Sequence, residues 1–472
     1  MLQIRQWFIV LLVAWLLLFA CQPAVTPQAL PASPTPSPGE ELIGFNWKSQ
    51  AGKSIQVLFV KHPFTDALLP LIRNFTEKTG ITVSFLVLPE TEYWTKLGID
   101  LASGAASYEV FMTGPSIAWQ HARSGWIEPL DRYIQDPQLT SPDWDINDFF
   151  PAFIAANRWN GKIGGGLGEG NLWAIPVMVE TTIISYRKDL FEKVGVQPPQ
   201  TWMEWPEVAA KLQGLKDEQG NPIYPIIQRG AKDITSIQAG HYTGFTTWGC
   251  KDFDENLTPL INQPKCVEFA RLWVETNKKY GPPDWTNVTW FDMMQRFAAG
   301  QAAMVIDNDF MAGVYENPEK SKVAGKVGYA LPPKGPDGSI KSNIWTWALA
   351  MNAKTRNKEA AWLFIQWATS KEVLLQSALA GNLDPVRRSV WEHPDVVAMT
   401  SKWDNGNWRK VVTDMLEKYA AWYPTPQTEL VAVWDRWIQA YHEIYAGKDA
   451  QQAMDEAARD IEQILIRAGF KR

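Results

Sequence analysis

"AIPVMVETTIISYRKDLF", Ala174 to Phe191, is apolar or β-branched at most positions, yet a carboxylate, Glu180, stands in its middle. The run Ile175, Val177, Met178, Val179, Ile183 and Ile184 reads as a strand buried on both faces. A charge left unpaired inside such a strand costs on the order of several kcal/mol. The strand must therefore surface at Glu180, and the rest of the chain has to supply the reason.

Outward from that stretch the pattern is α/β. "SIQVLFV" from Ser54 reads as a strand, and "TDALLPLIRNFTEKTG" as an amphipathic helix with Leu68, Leu71, Ile72 and Phe75 on one face. Pro70 weakens the first part of that helix, and Gly80 suits its end. "ITVSFLVL" is the next strand, "TEYWTKLGIDLASG" the next helix and "YEVFMTG" a third strand. This alternation predicts a parallel sheet, whose ligands bind at the loops beyond the C-terminal ends of the strands. Those loops are "KHPF" (Lys61 to Phe64), "PETEY" (Pro89 to Tyr93) and "TGPSIAW" (Thr113 to Trp119). Further strands are expected at Gln301 to Asp309 and Asn343 to Met351. The Gly-rich "GKIGGGLGEG", Gly161 to Gly170, lacks the register of a phosphate loop and reads as a flexible connection.

A chain of 472 residues exceeds what one compact core serves, which predicts at least two lobes. The net charge of −6, with acids and bases well mixed, offers no basic stripe and argues against a nucleic-acid partner. At the N-terminus Arg5 precedes an apolar run from Trp7 to Ala20, short for a membrane span and suited to a signal segment. "LFAC" resembles a bacterial lipoprotein cleavage box, which makes residues 1–20 a signal peptide and Cys21 the acylated first mature residue. Residues 21–43, rich in Pro, Ser and Thr, read as a tether. The body is then extracytoplasmic, lipid-anchored to the outer face of the cytoplasmic membrane, in a periplasm or at the cell surface. In that setting Cys250 and Cys266 are near enough in sequence to bridge a loop, and the sequence leaves open whether they do. No spacing suggests a metal site, and no cofactor is expected.

"IPVMVETTIISYRKDLFEKVGVQPPQTWMEW", "GQAAMVIDND", "WALAMNAKTRNKEAAWLFIQWATS" and "EIYAGKDAQQAMDEAARDIEQILIRAGF" together resemble the extracellular solute-binding proteins of ABC importers. The likeness is to the maltose-type and polyol-type sugar binders and runs from about Ser54 to Phe470. It implies a two-lobed periplasmic-binding-protein fold of type II, each lobe a sheet flanked by helices, joined by a multi-strand hinge. The expected lobes are 44–179 with 306–343, and 180–305 with 344–472. The strand that opens this section would be one crossing between lobes, with others near Val305 to Asp307 and Ile344 to Trp347. Glu180 would then lie on the cleft floor, where a maltose-type binder uses a Glu to hold sugar hydroxyls.

A neutral sugar or polyol needs hydrogen-bond partners for its hydroxyls and aromatic faces for its C–H groups. The expected ligand residues are Glu180, Asp307, Asn308 and Asp309 at the crossings, Trp345 and Trp347 alternating on one strand face, and Trp248 in a loop. His62, Thr113, Gly114, Trp119 and Trp422 belong to segments at the rim, and Asn382 and Arg387 to a loop that resembles a ligand-approaching segment of the family. The expected partners are a carbohydrate or polyol, the permease subunits of an ABC importer and the membrane through the lipid anchor, with the protein a monomer. The rival reading is a secreted carbohydrate hydrolase in which Glu180 and Asp307 act as acid and base. No Ser/His/Asp order, G-x-S-x-G elbow or metal motif accompanies that pair.

Overall fold

The structure, a computed structural model, describes residues 44–471. The expected signal peptide (1–20), the tether (21–43) and Cys21 lie outside the described residues.

Twelve strands are described: β1 Ser54–Val60, β2 Thr82–Leu88, β3 Val110–Thr113, β4 Arg158–Trp159, β5 Asn171–Leu172, β6 Ile175–Glu180, β7 Thr182–Arg187, β8 Met304–Asn308, β9 Val327–Ala330, β10 Ser342–Asn343, β11 Trp345–Met351 and β12 Ala420–Ala421. The first lobe is built on a five-stranded sheet in the order β2-β1-β3-β11-β6. There β1 runs parallel to β2 and β3, as the strand–helix alternation requires, while β11 is antiparallel to β3 and β6. The second lobe has a three-stranded sheet, β8-β7-β9, with β7 antiparallel to both neighbours. Every residue of β6 and β11 is buried, consistent with unbroken apolar runs packed on two faces.

The first turn that Pro70 is expected to weaken is regular helix, Pro63–Leu68; Pro70 instead lies in a 3₁₀ turn over Leu69–Leu71, followed by a helix Ile72–Thr79 closed by Gly80 at φ 74°. The helices Leu430–Tyr445 and Ala450–Arg467 pack on each other and on Pro264–Tyr280 in the second lobe, through Trp434, Trp437, Tyr441, Ala453, Ala457 and Ile461.

The lobes meet at three adjacent crossings. Strand β6 ends at Glu180 and β7 begins at Thr182, so the single residue Thr181 carries the chain from one sheet to the other. The other two fall at Asn308–Asp309 and Asn343–Ile344, within a few residues of the expected positions. The expected lobe membership is corrected on two segments. Strand β9, inside 306–343, pairs with β7 in the second sheet, and β11, inside 344–472, is an inner strand of the first. The run "WTWALAM" is apolar on both faces, which suits a central strand between β3 and β6.

Cys250 and Cys266 are disulfide-bonded, with Cα atoms 5.6 Å apart. Replacing both by serine is expected to lower the stability of the folded body by about 3 kcal/mol through the loop entropy of the unfolded chain. A reduced urea midpoint would show it; an unchanged midpoint would mean the bridge does not constrain the unfolded chain.

Candidate functional site

At the crossings, polar side chains replace the sheet ladder. Thr181 donates its backbone N–H and its hydroxyl to the Asp309 carboxylate at 2.8 and 2.6 Å, and Asp309 N–H returns to the Thr181 carbonyl at 3.0 Å. Thr182 N–H donates to Ser342 Oγ at 3.0 Å, and Asn343 Nδ2 to the Gln238 carbonyl at 2.7 Å. This fixes where Glu180 points, one residue before the crossing.

Glu180 faces a narrow chamber with a cavity volume of about 40 Å³. The first lobe contributes His62 from the loop after β1, Glu90 from the start of the helix Glu90–Ser103, and Trp345 and Trp347 from β11. The second contributes Arg229, Ile234, Thr235, Gln238, Trp290 and Trp434. Phe310, just past the crossing at Asp309, completes the wall. The chamber opens into a larger vestibule that shares His62, Glu90, Ile234, Thr235, Trp290 and Phe310. Glu180, Arg229, Gln238, Trp345, Trp347 and Trp434 therefore form the inner end.

The polar groups at that end are tightly held. Trp347 Nε1 donates to Glu180 Oε1 at 3.1 Å, Asn308 Nδ2 donates to Oε2, and His62 Nε2 lies 3.9 Å from Oε1. Arg229 donates through Nε to both oxygens of Asp307, at 3.1 and 2.9 Å, and through a terminal nitrogen to the Thr235 carbonyl at 3.1 Å. Burial pushes the Glu180 carboxyl up to about 8; Arg229 and the Trp347 N–H oppose this, and Glu90 and Asp307 reinforce it. Burial likewise raises Glu90 and holds His62 down to about 3, so His62 is neutral and gives Glu180 no counter-charge. Among the described residues no group of three or more His, Cys, Asp or Glu is placed to hold a metal ion.

Of the residues expected from sequence, Glu180, His62, Trp345 and Trp347 line the chamber. Asn308 and Asp307 stand behind it, one bonded to Glu180 and the other to Arg229, and Asp309 is committed to Thr181. Gly114 lies under the Trp345 ring, where a Cβ would overlap it, and the Thr113 hydroxyl is turned back to the Gly114 carbonyl. Trp422 packs behind Trp345, and Trp119 behind Trp422.

Three further expected residues also lie away from the chamber lining. Trp248 is buried against Phe269, next to the disulfide, because its segment ends a helix that packs into the second lobe rather than a cleft loop. Asn382 is buried outside the chamber lining. Arg387 is fully buried and donates to the Thr369, Trp144 and Asp145 carbonyls and to Asp148. Sequence reasoning missed Arg229, Gln238, Trp290 and Trp434, whose local patterns carry no signal of a common wall. Glu90 was within reach, since it lies in the "PETEY" loop beyond β2.

These features define a two-lobed protein that captures a small solute between its lobes: hydrogen-bonding side chains and indoles from both lobes converge on one chamber at a strand hinge. A family model described as bacterial extracellular solute-binding protein matches residues 48–374. The chain belongs to that family, and its role is to bind a solute for delivery to an ABC transporter. It is 34% identical over 422 residues to the erythritol/L-threitol-binding protein of Mycolicibacterium smegmatis, covering 88% of this chain and 87% of that one. It is 29% identical over 327 residues to the mannitol-binding protein of Pseudomonas aeruginosa, covering 68% and 70%. Among solved structures, an ABC transporter solute-binding protein from Agrobacterium vitis with bound D-mannitol superposes with a TM-score of 0.73 at 26% identity, over 88% of this chain and 99% of that one. A ribitol complex from Agrobacterium radiobacter, at 24% identity, shares the fold with a TM-score of 0.76, over 88% and 99%.

Two predictions follow from the geometry. Arg387→Ala leaves Asp148 and several carbonyls without their donor, and is expected to cost about 3–5 kcal/mol of stability. A conservative exchange that keeps the fold, Arg387→Lys, should leave solute affinity unchanged in calorimetry; a specific loss of affinity would return Arg387 to the site.

The second concerns pH. Glu180 titrates near 8 when folded against an ordinary 4.5, so its stabilising contribution is full below pH 4.5 and is lost as pH rises through about 8. Asp309, raised to about 7, acts in the same sense over the lower part of that range. The buried His62 and His121, held to about 3 and about 4, act oppositely, and their contribution is complete above pH 6.5. The ligand-free protein is therefore expected to lose stability from pH 6.5 to about 9, and Glu180→Gln to flatten the upper part of that fall. Urea midpoints across the range measure it, and parallel slopes for the two proteins would contradict it.

Proposed function

We propose that the chain is a lipid-anchored receptor, outside the cytoplasm, that captures an acyclic polyol or a small sugar and presents it to the permease of an ABC importer by closing its lobes. It acts as a monomer, without cofactor or nucleic acid. The observation that carries this reading is the alternation of hydrogen-bonding groups with indole faces at the inner end of the chamber. Glu180, Arg229 and Gln238 can take up hydroxyls while Trp345, Trp347 and Trp434 receive the C–H groups between them. The erythritol/L-threitol and mannitol binders among the relatives support a polyol. A phosphorylated ligand fits poorly, because Arg229, the only cation lining the chamber among the described residues, is already paired with Asp307.

Closure follows from the two-sided lining. A ligand touching Glu180 from one lobe and Arg229 from the other binds the closed form better than the open one, and only that difference shifts the equilibrium. The hydrolase reading is disfavoured by the same geometry. Asp307, the second carboxylate it needs, has both oxygens bonded to the Arg229 guanidinium and does not line the chamber.

Isothermal titration of glycerol, erythritol, L-threitol, ribitol, D-mannitol, maltose and glycerol 3-phosphate tests the reading, with tryptophan fluorescence as a second signal. At least one neutral polyol is expected to bind and to change the emission. Glu180→Gln should weaken it by about 1.5–3 kcal/mol, roughly 10- to 100-fold in Kd. Binding of glycerol 3-phosphate alone, or turnover of an oligosaccharide lost in Glu180→Gln, would overturn it.

A further inference from the structure

Trp345 stands at the inner end of the chamber, away from the residues shared with the vestibule. Its ring meets Trp347 edge-on at 5.8 Å on one side and Trp422 at 5.7 Å on another. Trp422 is itself immobilised, by Trp119 at 6.0 Å and Trp434 at 6.3 Å, and Trp119 rests on Trp159 at 6.1 Å. All six tryptophans are at least nine-tenths buried. The remaining side of the Trp345 ring is closed by the backbone of Gly114, where any side chain would overlap it. The ring thus has close-packed neighbours on every side except the chamber, and close-packed interiors do not yield to a ligand.

Trp422 adds a second observation. Its indole N–H, like those of Trp202, Trp205, Trp434 and Trp437, is buried without an acceptor, so no hydrogen bond accounts for the indole at that position. What the indole supplies there, and a smaller ring does not, is the volume that holds Trp345 forward.

We propose that Trp345, with Gly114 beneath it and Trp422 behind it, is the end-stop that sets the chain length of the ligand. The inference rests on the polyol reading above and makes Trp345 a specificity-determining residue of that site. Gly114 and Trp422 are positioning residues that act through it. Trimming the stop admits a longer acyclic polyol; a Cβ on Gly114 drives the indole into the chamber and favours a shorter one.

The test is the ratio of dissociation constants across glycerol, erythritol, ribitol and D-mannitol for the full chain and its Trp422→Phe, Trp345→Phe and Gly114→Ala variants. Relative to wild type, Trp422→Phe and Trp345→Phe are expected to shift the ratio between neighbouring lengths by about tenfold toward the longer polyol, the scale of one carbon unit in a closed pocket. Gly114→Ala is expected to shift it toward the shorter, and the two tryptophan variants carry the test if it does not fold. Loss of affinity for all four polyols by a common factor marks a structural role and overturns the proposal, since a structural defect leaves the ratios unmoved. If wild type binds none of the four, the polyol reading itself fails and the end-stop falls with it. If wild type binds and the ratios stay fixed, only the end-stop fails.

Discussion

The contact on which the rest of the molecule depends is the double hydrogen bond from Thr181 to the Asp309 carboxylate. Two sheets are joined by one residue of chain at this point, between the end of β6 and the start of β7. A carboxylate bound by an N–H and a hydroxyl from the neighbouring crossing ties two crossings into one hinge. These side-chain bonds add to the backbone bond from Asp309 N–H to the Thr181 carbonyl. Glu180 follows from the same arrangement: the residue before the crossing is the last that belongs to the first sheet and the first that faces the gap.

The 25 tryptophans divide by what their surroundings ask of them. Trp202, Trp205 and Trp273 form a cluster inside the second lobe, and Trp144 and Trp362 another in the first. A different set forms one row, in which Trp94 stacks on Trp347 at 5.9 Å and the contacts continue through Trp345, Trp422 and Trp119 to Trp159. That row begins at the chamber and ends beneath the Gly-rich segment, whose Lys162 and Gly165 carbonyls accept the Trp159 N–H. Large rigid side chains in contact transmit position rather than absorb it. The Trp345 side of the chamber wall is thus referred to this packed row of indoles.

Sequence alone was enough for the parts that repeat locally. The strand–helix alternation from Ser54 gave the parallel part of the first sheet, while the lobe crossing at Glu180 came from the family resemblance and not from the buried acid alone. Trp345 and Trp347 were legible because a strand turns alternate residues to one face, and β11 is regular there apart from a register shift after Trp347. What failed depended on distant pairings. Whether the chain stays in a lobe after 306 is decided by which edge of β7 receives β9, and no local pattern encodes an edge. Arg387 was expected near the ligand only from the likeness of its loop to a family segment, and that likeness does not show that the carbonyls of residues 144, 145 and 369 surround it. Arg229, Gln238 and Trp434 belong to segments with no feature in common until the fold brings them together.

The chamber's charge poses a last constraint. Glu90 and Glu180 line it and Asp307 stands behind it, against one guanidinium that Asp307 already occupies; His62 is neutral. Asp384, fully buried with neither oxygen bonded, is raised well above the usual carboxylate range by burial and then by Asp309 and Glu180. An excess of acid buried around a space meant for a neutral solute is tolerable only if protons replace the absent cations, and the raised affinity of Glu180 for a proton is that replacement. A hydroxyl donated by a bound ligand does the same work for the carboxylate as the proton did, and also spans to the facing lobe. The same burial that makes Glu180 costly in the empty chamber is what gives a hydroxyl donor its advantage there over water.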